Sequence, residues 1–179
     1  MNSVRVTIIG IIALGAVLSV CPVTLAQKTN DNKGQYGRTQ IAEIAKSAVG
    51  ILVFEAVSVK EPIWQLFDAV YLERHDRNKA ATVSMSFKNG KSQLSIDIAE
   101  YDSADVAEKR FDSPREYGGS VPYKAFGDRG EAVTGEKGEF LALRFRQGRF
   151  FVSIYNSDAK AVGRFASYIS ESINKLPAK

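Results

Sequence analysis

The 179-residue chain holds one cysteine, one histidine and one tryptophan, and the first two scarcities each remove a class of chemistry. Cys21 lies in an apolar leader, so the chain beyond it has no thiol: no disulfide, no cysteine nucleophile, and no thiolate site for zinc or an iron–sulfur cluster. His75 is the only side chain whose ordinary pKa lies near neutrality, but it sits in Arg74-His-Asp-Arg-Asn-Lys79. Flanking charges on both sides make that run a solvated loop, and no serine elbow accompanies it. A dominant charge of one sign is missing too. The 24 basic and 20 acidic residues are interspersed with a net of +4, a mildly basic surface without a nucleic-acid footprint. Phe126-Gly-Asp-Arg-Gly-Glu-Ala132 lacks the Gly-Lys-Ser/Thr of a phosphate loop and does not lead into a helix, so it reads as a structural turn. No set of residues has the spacing of a catalytic machine, and none implies a cofactor.

What the chain does have is one long apolar run. Met1 to Ala26 carries Arg5, then Val6 through Val20, then small residues at Thr24-Leu-Ala26, which is the layout of a secretory signal peptide cleaved between Ala26 and Gln27. The alternative is a retained membrane anchor, since the run approaches the roughly 20 residues that span a bilayer. A lipoprotein signal through Leu18-Ser-Val-Cys21 is weaker, because Val20 is not the small residue such signals carry before the cysteine. The expected location is the periplasm or the medium, with membrane contact only through an uncleaved leader. Residues 27–38 are polar with little that is apolar, as in a flexible tether, and 39–179 read as a single α+β domain.

Within that domain Thr39 opens an amphipathic helix with Ile41, Ile44, Ala45 and Ala48 on one side and Gly50 as its stop. Ile51 to Val59 is dense in apolar and β-branched residues and reads as a buried strand, with a helix continuing through Gly50 as the alternative. Ile63, Leu66, Phe67, Val70 and Tyr71 recur at helical spacing after Pro62, predicting a helix; the competing reading makes Ala69 to Glu73 a strand hairpinned to the next segment of chain. Ser103 or Asp102 caps a helix bearing Ala104, Ala107 and Phe111, and Arg115 to Tyr123 is loop. Ser157 or Asp158 caps a last helix whose stripe is Val162, Phe165, Ala166, Ile169, Ile173 and Leu176, closed by Pro177.

Two stretches read as β-hairpins. In Phe140 to Tyr155 a turn at Gln147-Gly148 sets Phe145 opposite Phe150, Leu143 opposite Val152 and Leu141 opposite Ile154 on an apolar face. Arg144 with Phe151, Ala142 with Ser153 and Phe140 with Tyr155 form the other face. In Ala80 to Glu100 a turn at Asn89-Gly90 sets Met85 against Leu94, Val83 against Ile96 and Ala81 against Ile98, leaving Ser84, Ser86, Ser95 and Asp97 on a polar face. Each hairpin is followed by a helix, so the expected architecture is an antiparallel sheet of ββα units with helices on its apolar face. Whether the N-terminal helices share that face or cover the other is open. The run from Ala125-Phe-Gly-Asp128 to Ala132, the Arg-Gln-Gly-Arg-Phe-Phe-Val tip and the final helix resemble exported bacterial proteins of unassigned function. More distantly they resemble the α/β sandwich of the PsbP and Mog1-like group. The resemblance implies a location and a fold type and carries no site residue.

Two groups of residues are candidates for a site. Arg144, Arg146 and Arg149 surround Phe151 and Tyr155 on the outer hairpin face, where guanidinium groups beside rings can grip an anionic or carbohydrate-like ligand or an acidic protein partner. The competing readings are arginines that cover exposed aromatics, or a face buried under the N-terminal helices. If those arginines are solvated, replacing Arg144 and Arg146 costs under about 1 kcal/mol of stability. Asp128 and Glu131 share one glycine-rich turn and can bind a hard cation, or cap backbone amides instead. Asp97 and Glu100 are expected at the surface. The function expected is a non-enzymatic extracytoplasmic binding or accessory protein; the alternative is a small carboxylate- or metal-dependent hydrolase.

Overall fold

The structure, a computed structural model, describes residues 35–74, 79–112, 120–134, 140–156 and 159–177. The expected leader, His75 and the capping pair Ser157/Asp158 lie outside them, as does the expected tether up to residue 34. Among the described residues four helices and seven strands run in the order α1 (Gln35–Ile44), α2 (Ala48–Lys60), β1 (Gln65–Leu72), β2 (Ala81–Asn89), β3 (Ser92–Glu100), α3 (Ala104–Phe111), β4 (Ser120–Pro122), β5 (Arg129–Thr134), β6 (Phe140–Gln147), β7 (Phe150–Asn156) and α4 (Ala159–Asn174). The strands form one antiparallel sheet in the order β1-β2-β3-β7-β6-β5-β4, so the fold is α+β as expected. The two hairpins meet edge to edge through β3 and β7.

Three elements differ from their expected form. α1 begins at Gln35, inside the stretch expected to be tether, and Gly50 does not stop a helix. It sits in the first turn of α2, where its amide donates to the hydroxyl of the N-cap residue Ser47 at 3.2 Å. The expected strand over Ile51 to Val59 is therefore helix. Its β-branched residues lower helix propensity only slightly, and burial of Val49, Val53 and Val57 outweighs that preference. The expected helix over Ile63 to Tyr71 is instead β1, paired with β2. A bulge at Phe67 explains the misleading spacing: Leu66 on one side of it and Ala69 and Tyr71 on the other share the face of Phe87, Met85 and Val83. Inward positions three and then two apart imitate a helical period. Within the expected loop, Ser120 to Pro122 forms β4 beside β5.

Both hairpins keep their expected faces but pair two residues further on than expected. Asn89 pairs with Ser92 and Gln147 with Phe150, leaving Gly90-Lys91 and Gly148-Arg149 as the turns. Gly90 and Gly148 have φ of 57° and 55°, and no non-glycine described has positive φ. Glycine first and an ordinary residue second is the pattern of a type II′ turn, whereas an Asn-Gly reading assumes type I′. A slip of two preserves every facing, so Phe145 meets Val152 and Leu143 meets Ile154 on the apolar side.

That side is the core. Phe165 of α4 is fully buried against the rings of Trp64 and Phe87 at 5.5 and 5.7 Å. Ala166, Ile169 and Val162 complete the expected stripe, and α2 lies beside α4 over β2, close enough that a Cβ on Gly50 would meet Val83 Cγ2 at 3.2 Å. α1 runs along the edge strand β1 and sends Ile44, 2% exposed, into the same core. Gln40 Nε2 donates to the Phe67 carbonyl at 3.0 Å and the Tyr71 amide donates to Glu43 Oε2 at 3.1 Å. α3 departs from the ββα expectation by lying on the opposite face, with Phe111 edge-on to Phe151 at 6.0 Å. Its two buried residues, Ala107 and Phe111, match that small contact. Among the described residues no helix is long and apolar enough to cross a membrane.

Candidate functional site

The second face of the sheet is built in rows, because residues paired across antiparallel strands point the same way. The central row is Val70, Ser84, Asp97, Ser153, Arg144, Glu131, Pro122, one residue from each strand. Beside it run Asp68, Ser86, Ser95, Tyr155, Ala142, Val133 and Ser120, and on the other side Leu72, Thr82, Ala99, Phe151, Arg146 and Arg129. The middle of this face is floored by short hydroxyl side chains. Ser84 Oγ donates to Asp97 Oδ1 at 2.6 Å, and Ser86 and Ser95 share a hydrogen bond at 3.1 Å. Tyr155, paired with Ser95, is 37% exposed on this face, and Val70 and Leu72 on β1 are exposed at the far rim.

The five residues expected to form one patch divide into three places. Phe151 and Arg146 lie under α3. Phe151 packs on Phe111, and Arg146 pairs with Glu108 of α3 and, at 2.8 Å, with Asp128. Arg129 bridges Glu108 and Asp112 in the same ladder and stacks on Phe111 at 4.9 Å. Hydrogen bonds that Arg129 donates to Glu108 first and Asp112 second raise its pKa above the ordinary value. Arg149 sits in the hairpin turn, over the Phe150 ring at 5.2 Å and paired with Glu100 at 3.0 Å. Only Arg144 and Tyr155 remain away from α3 and the hairpin turn, Arg144 in the row of Ser153 and Tyr155 in the row beside it. Arg144 Nε pairs with Glu131 at 3.3 Å, while its Nη2 is buried and has no hydrogen-bond partner among the described residues.

Asp128 and Glu131 are likewise separated by their partners. Asp128 Oδ2 accepts from the Gly148 amide at 2.8 Å as well as from Arg146, so it does cap a backbone amide, that of the neighbouring hairpin turn. Glu131, 4% exposed, accepts from Ser120 at 3.3 Å and faces Arg144. Among the described residues no three carboxylate, histidine or cysteine side chains are grouped as metal ligands. Asp97 is half-buried on the serine floor and Glu100 half-buried beside Arg149, so neither is a free surface charge. Burial holds the Tyr101 hydroxyl above its ordinary pKa, against the opposing charge of Arg110.

Sequence reasoning placed the serines on polar hairpin faces but did not assemble the row. Its missing step is the β3–β7 pairing, which joins residues 50 to 62 positions apart and has no local signal. No family model matches the chain, and no curated protein or solved structure matches it either.

Proposed function

We propose that this chain is an exported, non-enzymatic binding protein, acting in the periplasm or outside the cell, which holds a hydroxyl-rich ligand of the saccharide class on the second sheet face. The observation that carries the reading is the serine floor on β2, β3 and β7, with Asp97 and Arg144 in its central row and the exposed Tyr155 in the row beside it. Hydroxyls and a carboxylate offer both donors and acceptors to sugar hydroxyls, and the exposed ring offers an apolar surface for a sugar face. Of the two ligand classes the residue types admit, the anionic one loses support. Arg146 is already neutralised by Glu108 and Asp128, and Arg144 by Glu131. The hydrolase alternative loses support in the same way, since Asp128 and Glu131 each face an arginine.

Calorimetric titration with neutral hexasaccharides (cello- and xylohexaose) and with polygalacturonate tests the ligand class. Expected is saturable binding of a neutral saccharide that changes little with salt and weakens about three- to tenfold in Tyr155→Ala, the loss of a stacked ring. Binding of polygalacturonate alone, with steep salt dependence, would return the site to the anionic class, and binding of none of these removes the reading. Metal-dependent turnover of a hydrolase substrate, abolished by Asp128→Asn, would replace it with the enzyme. Export rests separately on Met1 to Ala26. N-terminal sequencing of the protein from its native host is expected to begin at Gln27, and a chain beginning near Met1 contradicts cleavage.

A further inference from the structure

We infer that β1 is a latent dimerisation edge, which pairs about a two-fold axis with β1 of a second copy of this chain once α1 is lifted from it. α1 lies where that second strand would lie. Gln40 Nε2 donates to the Phe67 carbonyl at 3.0 Å and Glu43 Oε2 accepts from the Tyr71 amide at 3.1 Å. Two side chains three positions apart on one helix face thus take backbone groups at the strand edge opposite β2. Each supplies what an added strand supplies, an N–H for the carbonyl and an acceptor for the amide.

The cover is thin. Of the described side chains of α1 only Gln40 and Ile44 are buried, and a ten-residue helix is marginal in water unless one face packs. Ile44 is therefore its one buried apolar anchor among the described residues, and the two hydrogen bonds to β1 depend on it.

The side chains of β1 point to a second copy as the partner. Val70 and Leu72 are 43% and 52% exposed on the second sheet face, and Tyr71 lies between them with its amide at the free edge. A two-fold axis at Tyr71 lets the copies exchange both hydrogen bonds there. It sets Val70 of one copy opposite Leu72 of the other, twice, as the non-hydrogen-bonded pairs whose side chains approach most closely. The four residues then form one apolar patch across the axis. At the sheet's other edge β4 has three residues and ends in Pro122, so pairing β1 to β4, which would string copies into an open filament, is disfavoured. Pairing through β1 alone closes as a dimer. It uses neither the serine floor nor Tyr155, so it stands or falls apart from the saccharide reading.

Sedimentation velocity of the whole protein from micromolar to near-millimolar concentration tests the inference. Expected is a monomer for the native sequence and a concentration-dependent dimer for Gln40→Ala/Glu43→Ala, which removes both edge contacts and keeps good helix formers in α1. Ile44→Ala, which loosens the anchor and leaves those contacts, is the second opened form where the first fails to fold. In the opened form Val70→Glu or Leu72→Lys alone should weaken the dimer about threefold or more. The two together should restore it, because opposite charges then face each other across the axis. An opened form that stays monomeric overturns the inference, as does a native chain that already dimerises, or association that the paired charges do not rescue.

Discussion

Gly127 and Gly90 both hold a positive φ, 65° and 57°, yet substitution at the two has different consequences. A Cβ on Gly90 meets nothing within 4 Å, whereas one on Gly127 would lie 2.3 Å from the Arg146 carbonyl oxygen. Gly90→Ala therefore carries only the left-handed backbone term of about 1–2 kcal/mol. Gly127→Ala adds a clash with main chain and is expected to exceed it by at least about 2 kcal/mol in urea unfolding. Equal losses at the two positions would show that the turn at Gly127 relaxes. The arginines revise a second expectation. Side chains of Arg144 and Arg146 are only 16% and 14% exposed and each holds a carboxylate, so the small cost expected of solvated charges does not apply. Arg144→Ala removes a largely buried ion pair with Glu131 and is expected to cost roughly 3 kcal/mol, read from the urea midpoint.

At the scale of elements, legibility followed periodicity. α4 and the Ser103 cap of α3 were readable because an uninterrupted stripe and a capping hydroxyl are local signals. α2 was not, since Ile51, Leu52, Phe54 and Val59 make it apolar around its circumference and leave no period to detect. Ser47 was its one local marker; Ser47→Ala should cost about 1 kcal/mol, the usual loss for an N-cap. Phe165→Ala should cost about 3–5 kcal/mol, because the ring fills the space between Trp64, Phe87 and Tyr168. Losses below half a kilocalorie, on the order of a surface change, would place the stripe elsewhere. The helices also carry a pH dependence. Lys46 first, and then the Tyr71 amide, lower the Glu43 pKa, and Lys60 first, then Ser167, lower that of Glu171. A carboxylate depressed in the folded state stabilises it above the unfolded value and loses that contribution as pH falls through the folded one. Urea midpoints should thus decline below about pH 4.5, and less so in Glu43→Gln, where one of these groups no longer titrates.

For the whole molecule, the α+β class was legible from the two hairpins and the long amphipathic helix, while the sheet's assembly was not. Hairpin registers are set by local turns, but the order that places β7 beside β3 is set by how two preformed units dock. The candidate site inherits that limit: Ser84, Ser86, Ser95 and Asp97 come from one hairpin and Ser153, Arg144 and Tyr155 from the other. Both outer edges of the sheet are blunted, β1 by Gln40 and Glu43 and β4 by its three-residue length and Pro122.

The β3–β7 junction also bears on when the chain can fold. Residues 94–100 cannot gain their second neighbour until 150–156 are available, and the core between them closes only when α4 is added. Loop closure over such a separation is entropically costly before any contact offsets it, so folding is expected to be late and slow relative to a helical domain of this size. An unfinished chain would stay threadable. If the chain is exported as proposed, that delay would suit passage through a translocation channel that admits only unfolded polypeptide, and the sheet would come together after export rather than at the ribosome.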